Sequence, residues 1–234
     1  MKTQKLTALV AAGVLGFSGI SKAISTDTLA HLAANPQNSI SIGDKTFNGF
    51  SYVPTLLTTF DPTQIQVTAS IVGNVYYLTF QGSIALVSAG PAVADLLLNY
   101  TVTANAGLIS MIDQMYTGSA QPRGSSFLAV DETVTAAGGG PTIANSHLQV
   151  DDLSDPFAEP GDDLDTTDAL HPRGYVSLAV TKDIGLGIAS ANGGFVTLSS
   201  VSQSFHQAPE GGMTLVLLGF GLSGLALIRR KLSA

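Results

Sequence analysis

The chain has no cysteine and no tryptophan, and only 12% of its residues are charged. Without cysteine, disulfides, thiol catalysis and zinc–thiolate sites are excluded, so the fold must rest on an ordinary hydrophobic core. Without tryptophan, the usual stacking platform for sugars is missing, and Tyr52, Tyr76, Tyr77, Tyr100, Tyr116 and Tyr175 are the tyrosines that remain. Catalytic signatures are absent too: there is no Gly-x-Ser-x-Gly elbow and no His-Glu-x-x-His helix. The four histidines, His31, His147, His171 and His206, are scattered and read as surface or turn residues.

Cations are the scarcest resource. The whole chain carries −7, but Lys2, Lys5, Lys22, Arg229, Arg230 and Lys231 all lie near its two ends. Residues 24–210 keep Lys45, Arg123, Arg173 and Lys182 against all 17 Asp and Glu, a net of −13. Such a body repels nucleic acid and anionic surfaces, and no basic patch argues otherwise.

What is present begins at the termini. Met1 to Lys5 is a basic segment, Leu6 to Ile20 is apolar, and Ser21-Lys22-Ala23 offers small residues for cleavage. This reads as a secretory signal peptide over 1–23. At the other end, Ala208-Pro209-Glu210-Gly211-Gly212 leads into the apolar run Met213 to Ile228 and then Arg229-Arg230-Lys231. From Gly211 to Ile228 no residue is charged, and as a helix the run spans about 27 Å, close to a bilayer core. The terminal cations favour the cytoplasmic side, leaving the body outside. Within the run, Gly219-Phe220-Gly221-Leu222-Ser223-Gly224 matches a dinucleotide-binding pattern by accident. It lacks a crossover helix and a downstream acid, and its small residues suit helix contact instead.

This combination resembles the PEP-CTERM class of bacterial sorting signals, covering residues 208–234. The third motif position, usually proline, is Gly211, and Pro209-Glu210-Gly211-Gly212 is close to the related Pro-Asp-Ser-Gly type. The resemblance implies export across the inner membrane, an exosortase partner, transient anchoring, and release to the cell surface or an exopolysaccharide matrix. Lys45-Thr46-Phe47 and Lys182-Asp183-Ile184 also resemble a recurring β-rich body of such proteins that carries no known activity.

Residues 24–207 read as strands. Ser39 to Ile42, Gln64 to Thr68, Asn74 to Phe80, Asp95 to Val102, Ser126 to Val134, Gly174 to Thr181 and Gly194 to Phe205 alternate or are β-rich. Ser25 to Ala34 suggests a short helix, and Gly107 to Tyr116 a helix or a strand. The expected fold is all-β, a single antiparallel sandwich in jelly-roll style. Pro122 to Val130 recurs as Pro172 to Val180, identical at six of nine positions with an offset of 50. The repeat predicts two equivalent strands in facing or adjacent positions; the functional alternative is a shared ligand for Arg123 and Arg173.

Between these copies, Asp151, Asp152, Asp155, Glu159, Asp162, Asp163, Asp165 and Asp168 crowd into 18 residues. They read as a flexible, solvated loop. Asp163, Asp165 and Asp168 are calcium candidates, although the spacing lacks the glycine and bidentate glutamate of an EF-hand. No cofactor is expected. Two functions remain: a non-catalytic surface or matrix protein associated with exopolysaccharide, and a secreted polysaccharide-acting hydrolase.

Overall fold

The structure, a computed structural model, describes residues 24–122, 124–140, 142–149 and 174–207, with backbone alone for Val150 and 161–164. The expected signal peptide, sorting motif and membrane segment lie outside the described residues. Among the described residues, no helix is long and apolar enough to cross a membrane.

Among the described residues, twelve strands and one short helix follow in order: β1 (Ile24–Thr28), α1 (Leu29–Ala34), β2 (Ser39–Ile42), β3 (Lys45–Thr55), β4 (Gln66–Val72), β5 (Val75–Ser88), β6 (Ala92–Ala104), β7 (Ile109–Gln121), β8 (Ser126–Ala136), β9 (Thr142–Val150), β10 (Gly161–Leu164), β11 (Ser177–Ile188) and β12 (Gly194–Gln207). They form two six-stranded antiparallel sheets, ordered β1-β4-β5-β12-β7-β10 and β2-β3-β6-β11-β8-β9. The two sheets pack as a β-sandwich.

Alternation sets the faces. In β6, Ala94, Leu96, Leu98, Tyr100, Val102 and Ala104 are buried, while Asp95, Asn99, Thr101 and Thr103 point outward. In β11 the inner set is Leu178, Val180, Lys182, Ile184, Leu186 and Ile188, so a lysine occupies a core position. Aromatic rings fill the space between the sheets. Phe47 lies 5.4 Å from Phe205, and Tyr100 sits 5.8 Å from Phe50 and 5.7 Å from Phe80.

Local chemistry explains the turns. Gly43 (φ 55°) and Gly73 (φ 62°) open the two-residue hairpins β2–β3 and β4–β5, where glycine accepts a positive φ without strain. A Cβ at Gly43 would also come within 2.9 Å of Ile71 and Tyr76, so this turn rests directly on the first sheet.

Two expectations need correction. The helix is confined to Leu29–Ala34, because Thr28 caps it through its hydroxyl to the His31 amide, and Ile24 to Thr28 pair with β4 instead. The acidic stretch is not wholly a loop either: Gly161–Leu164 forms β10 and adds to the β7 edge, with Asp163 in register opposite Asp113. Gly107 to Tyr116 resolves in favour of a strand, β7. The repeated segments launch β8 and β11, adjacent antiparallel neighbours, while Arg123 and Arg173 lie outside the described residues.

Candidate functional site

Strand register assembles a polar row across the outer face of the first sheet. Tyr77 on β5, Ser204 on β12 and Asp113 on β7 stand opposite one another in turn, and the β10 backbone at Asp163 is in register with Asp113. Thr79, Ser202 and Met115 form the next row, with the two hydroxyls 2.8 Å apart. Tyr77, Asp113, Gln114, Met115, Ser202 and Ser204 line a depression of about 220 Å³. Ser204 Oγ donates to Asp113 Oδ2 at 2.7 Å, and His206 Nε2 lies 2.7 Å from the same oxygen and 3.2 Å from Ser204 Oγ.

Serine, histidine and aspartate therefore meet, but not as a hydrolytic triad. There the imidazole stands between the other two, one ring nitrogen facing each. Here one nitrogen faces both, and the serine proton goes to the carboxylate. The arrangement offers a fixed anionic acceptor ringed by hydroxyls, a chemistry suited to hydroxyl-bearing ligands. Every described histidine contacts an aspartate: His31 with Asp27 at 2.7 Å, His147 with Asp131 at 2.6 Å, and His206 with Asp113.

A second polar group lies between the sheets. Lys182 on β11 and Glu132 on β8 are directly opposite and fully buried, and Nζ contacts Glu132 Oε2. Two glutamines reach across from the first sheet: Nζ donates to Gln203 Oε1 at 2.6 Å and to Gln114 Oε1 at 2.8 Å. Gln114 Nε2 donates in turn to Ser146 Oγ at 2.6 Å and to the Val130 carbonyl at 3.4 Å. Among the described residues, Glu132 Oε1, Gln203 Nε2 and the Tyr100 hydroxyl are buried without a hydrogen-bond partner. Burial lowers the Lys182 ammonium below the ordinary lysine range against the opposing pull of Glu132. Burial also pushes the Tyr100 hydroxyl upward, with help from the Glu132 charge.

Outward on the second sheet, Asp95 shares a hydrogen bond with Asp183. Partial burial first, then the Asp183 contact and charge, push Asp95 up to about 6. Retaining glycosidases hold their carboxyls about 5–5.5 Å apart, so a hydrogen-bonded pair is too close for that geometry. It has a stability consequence instead. The folded state binds this proton more tightly than the unfolded chain does, so its contribution is present at acid pH and lost as pH rises through about 6. His147, raised chiefly by its hydrogen bond to Asp131, acts in the same direction. Thermal unfolding should therefore move to higher temperature from pH 7 to pH 5, and the gain should shrink in Asp95→Asn. An unchanged gain in that variant would assign the effect to other groups.

Cations are withdrawn from the described surface. Lys45, like Lys182, has no exposed side chain; its Nζ lies 2.8 Å from Asp44 and 4.3 Å from the Tyr76 ring centre. Burial first, then Asp44, pushes the Tyr76 hydroxyl up to about 12. Of the sequence candidates, Asp163 is in backbone register with Asp113, whereas Asp165 and Asp168 lie outside the described residues. So do Pro209, Glu210, Gly211, Gly212, Arg229, Arg230 and Lys231. Among the described residues, no three His, Asp or Glu converge to hold a metal ion.

No family model matches the chain, and no curated protein matches it. Among solved structures it is similar to the Glycosylation Associate Protein complex from Streptococcus agalactiae, at 12% identity and TM-score 0.27 over 70% of this chain and 26% of that one. The enzymatically active domain of Bacteriophage CBA120 tailspike protein 4 matches at 14% identity and TM-score 0.28, over 64% and 19%. A family 11 carbohydrate-binding module from Clostridium thermocellum matches at 9% identity and TM-score 0.24, over 66% and 96%. The chain thus spans about a quarter or less of the first two. Likeness at this level identifies no family.

Proposed function

We propose that this chain is an exported, non-catalytic surface or matrix protein that is sorted by an exosortase at the inner membrane and associates with exopolysaccharide. Its body is a jelly roll: β5 to β12 run in the orders β5-β12-β7-β10 and β6-β11-β8-β9, and β1 to β4 extend one edge of each sheet. The observation that carries the binding role is the depression of Tyr77, Asp113, Ser202 and Ser204, with His206 on the same carboxylate. A carboxylate accepts from sugar hydroxyls in charge-assisted hydrogen bonds, and the serine hydroxyls donate or accept as needed. With Lys45 and Lys182 buried and a strongly acidic body, the ligand it fits is a neutral glycan; an anionic one is repelled.

Glycan arrays with the purified mature protein test the reading. Neutral polysaccharides should be retained, and Asp113→Asn should weaken them about ten-fold or more, the worth of one hydrogen bond to a charged group. Hydrolysis that survives repurification and vanishes in Asp113→Asn would replace it with the hydrolase reading. Sorting has its own test. Replacing Pro209 and Glu210 with alanine should leave full-length protein in the membrane fraction on immunoblots. Processing as efficient as wild type would remove the sorting motif from the proposal.

A further inference from the structure

The repeat and the buried network share one geometry. Extending the offset of 50 by two residues beyond Val130 and Val180 reaches Glu132 and Lys182. Because β8 and β11 are antiparallel, these equivalent positions are also register partners, and a local two-fold axis passes through them. The pairing of β7 with β12 adds two carboxamides to this amine and carboxylate, in a site flanked by Val130, Val134, Val180 and Ile184, all buried. A lysine desolvated in this way is an activated nucleophile, and close fixed neighbours replace the encounter that a bimolecular reaction would need.

We propose that Lys182 and Gln203 close an intramolecular isopeptide bond that covalently joins the two sheets, with Glu132 carrying the proton. The step balances without oxidant, reductant or co-reactant. Glu132 takes a proton from the Lys182 ammonium, and the freed Nζ lone pair attacks Gln203 Cδ. The Nζ–Cδ bond forms and the Cδ–Nε2 bond breaks. The proton shed by Nζ passes to Nε2, which leaves as ammonia; the proton on Glu132 leaves with it as ammonium.

The choice of electrophile follows from the hydrogen bonds. Gln114 Nε2 is held by Ser146 and the Val130 carbonyl, so its departure would break both contacts. Gln203 Nε2 has no partner among the described residues, and its carbonyl oxygen is the nearer of the two to Nζ, 2.6 Å against 2.8 Å. Glu132 is a poor electrophile while ionised, and its free Oε1 leaves room to accept and release a proton. Burial favours the neutral amine that the attack requires. For a chain without cysteine, an amide between β11 and β12 would supply the cross-link that a disulfide supplies elsewhere.

Mass spectrometry of the purified protein under denaturing conditions tests the proposal, because the relevant peptides are internal. After trypsin, the peptide that begins at Gly174 and contains Gln203 should be uncut after Lys182 and lighter by one ammonia. Fragmentation should join residues 182 and 203. Gln203→Met should restore both the full mass and cleavage after Lys182, while Gln114→Met should keep the loss. A wild-type peptide of full mass, cleaved after Lys182, overturns the proposal. So does loss of water in a link to Glu132, or a branched peptide joining residues 46–123 to Lys182, which would identify Gln114 as the electrophile.

Discussion

Replacing Glu132 with leucine is expected to cost the fold about 3–5 kcal/mol, because it prevents the proposed amide and strands Lys182 as an unpaired buried cation. Both side chains are fully buried, so no solvent is at hand to screen the ammonium that remains. The variant also removes the proton carrier for the proposed amide, which leaves Lys182 without its cross-link among Val130, Val134 and Val180. A lysine whose folded value lies below its unfolded one loses its proton more readily when folded. Stability should then rise with pH across the window between that lowered value and the ordinary lysine range. Denaturant unfolding at pH 7 and pH 9 should show the deficit narrowing at the higher pH. Glu132→Leu with Lys182→Met removes both charges and should recover the electrostatic part, and the residual deficit measures the lost cross-link and packing. A single-variant cost under about 1 kcal/mol would mean that water reaches the pair.

The expected sandwich was legible because seven of its strands advertise themselves. Period-two patterns in β2, β4, β5, β6, β8, β11 and β12 separate a core face from a solvent face without help from tertiary structure. The strands that escaped do so for identifiable reasons. In β7, Ile109, Ile112 and Tyr116 fall at helical spacing, while the strand buries Gln114 between Ile112 and Tyr116, with Ile109 and Ala120 also in the core. The buried glutamine that serves Lys182 is the residue that disguises the strand. In β3 a register shift between Asn48 and Ser51 interrupts the alternation, and Pro54 lowers its apparent strand propensity.

Site residues were harder to read for a different reason. Asp113 lies 91 residues from Ser204 and 93 from His206, and only the pairing of β7 with β12 joins them. Lys182 and Glu132 did carry a local signal, since each occupies an apolar alternation among Leu, Val and Ile. Charge counting treats both as surface, and the repeat stops two residues short of them. In the acidic stretch, composition argues for a loop, while Gly161–Leu164 has an open β7 edge to join. Backbone pairing outweighs side-chain charge there.

The remaining large effect concerns the Lys45-Thr46-Phe47 segment, whose two outer residues the fold uses differently. Lys45 closes the end of the core against Asp44 and the Tyr76 ring. Phe47 enters the centre of the core, fully buried, 5.4 Å from Phe205 of the opposite sheet and 6.5 Å from Tyr100 of its own. Deleting that ring removes buried apolar area and leaves a cavity that two packed sheets cannot collapse into, so Phe47→Ala should cost about 3–5 kcal/mol. Phe47→Leu keeps most of the volume and should cost under about 1.5 kcal/mol. Denaturant midpoints for the two variants should separate accordingly, at an unchanged dependence on denaturant. If the alanine variant unfolds within about 1 kcal/mol of wild type, Phe205 and Tyr100 have closed over the gap, and the ring cluster is not what holds the two sheets together.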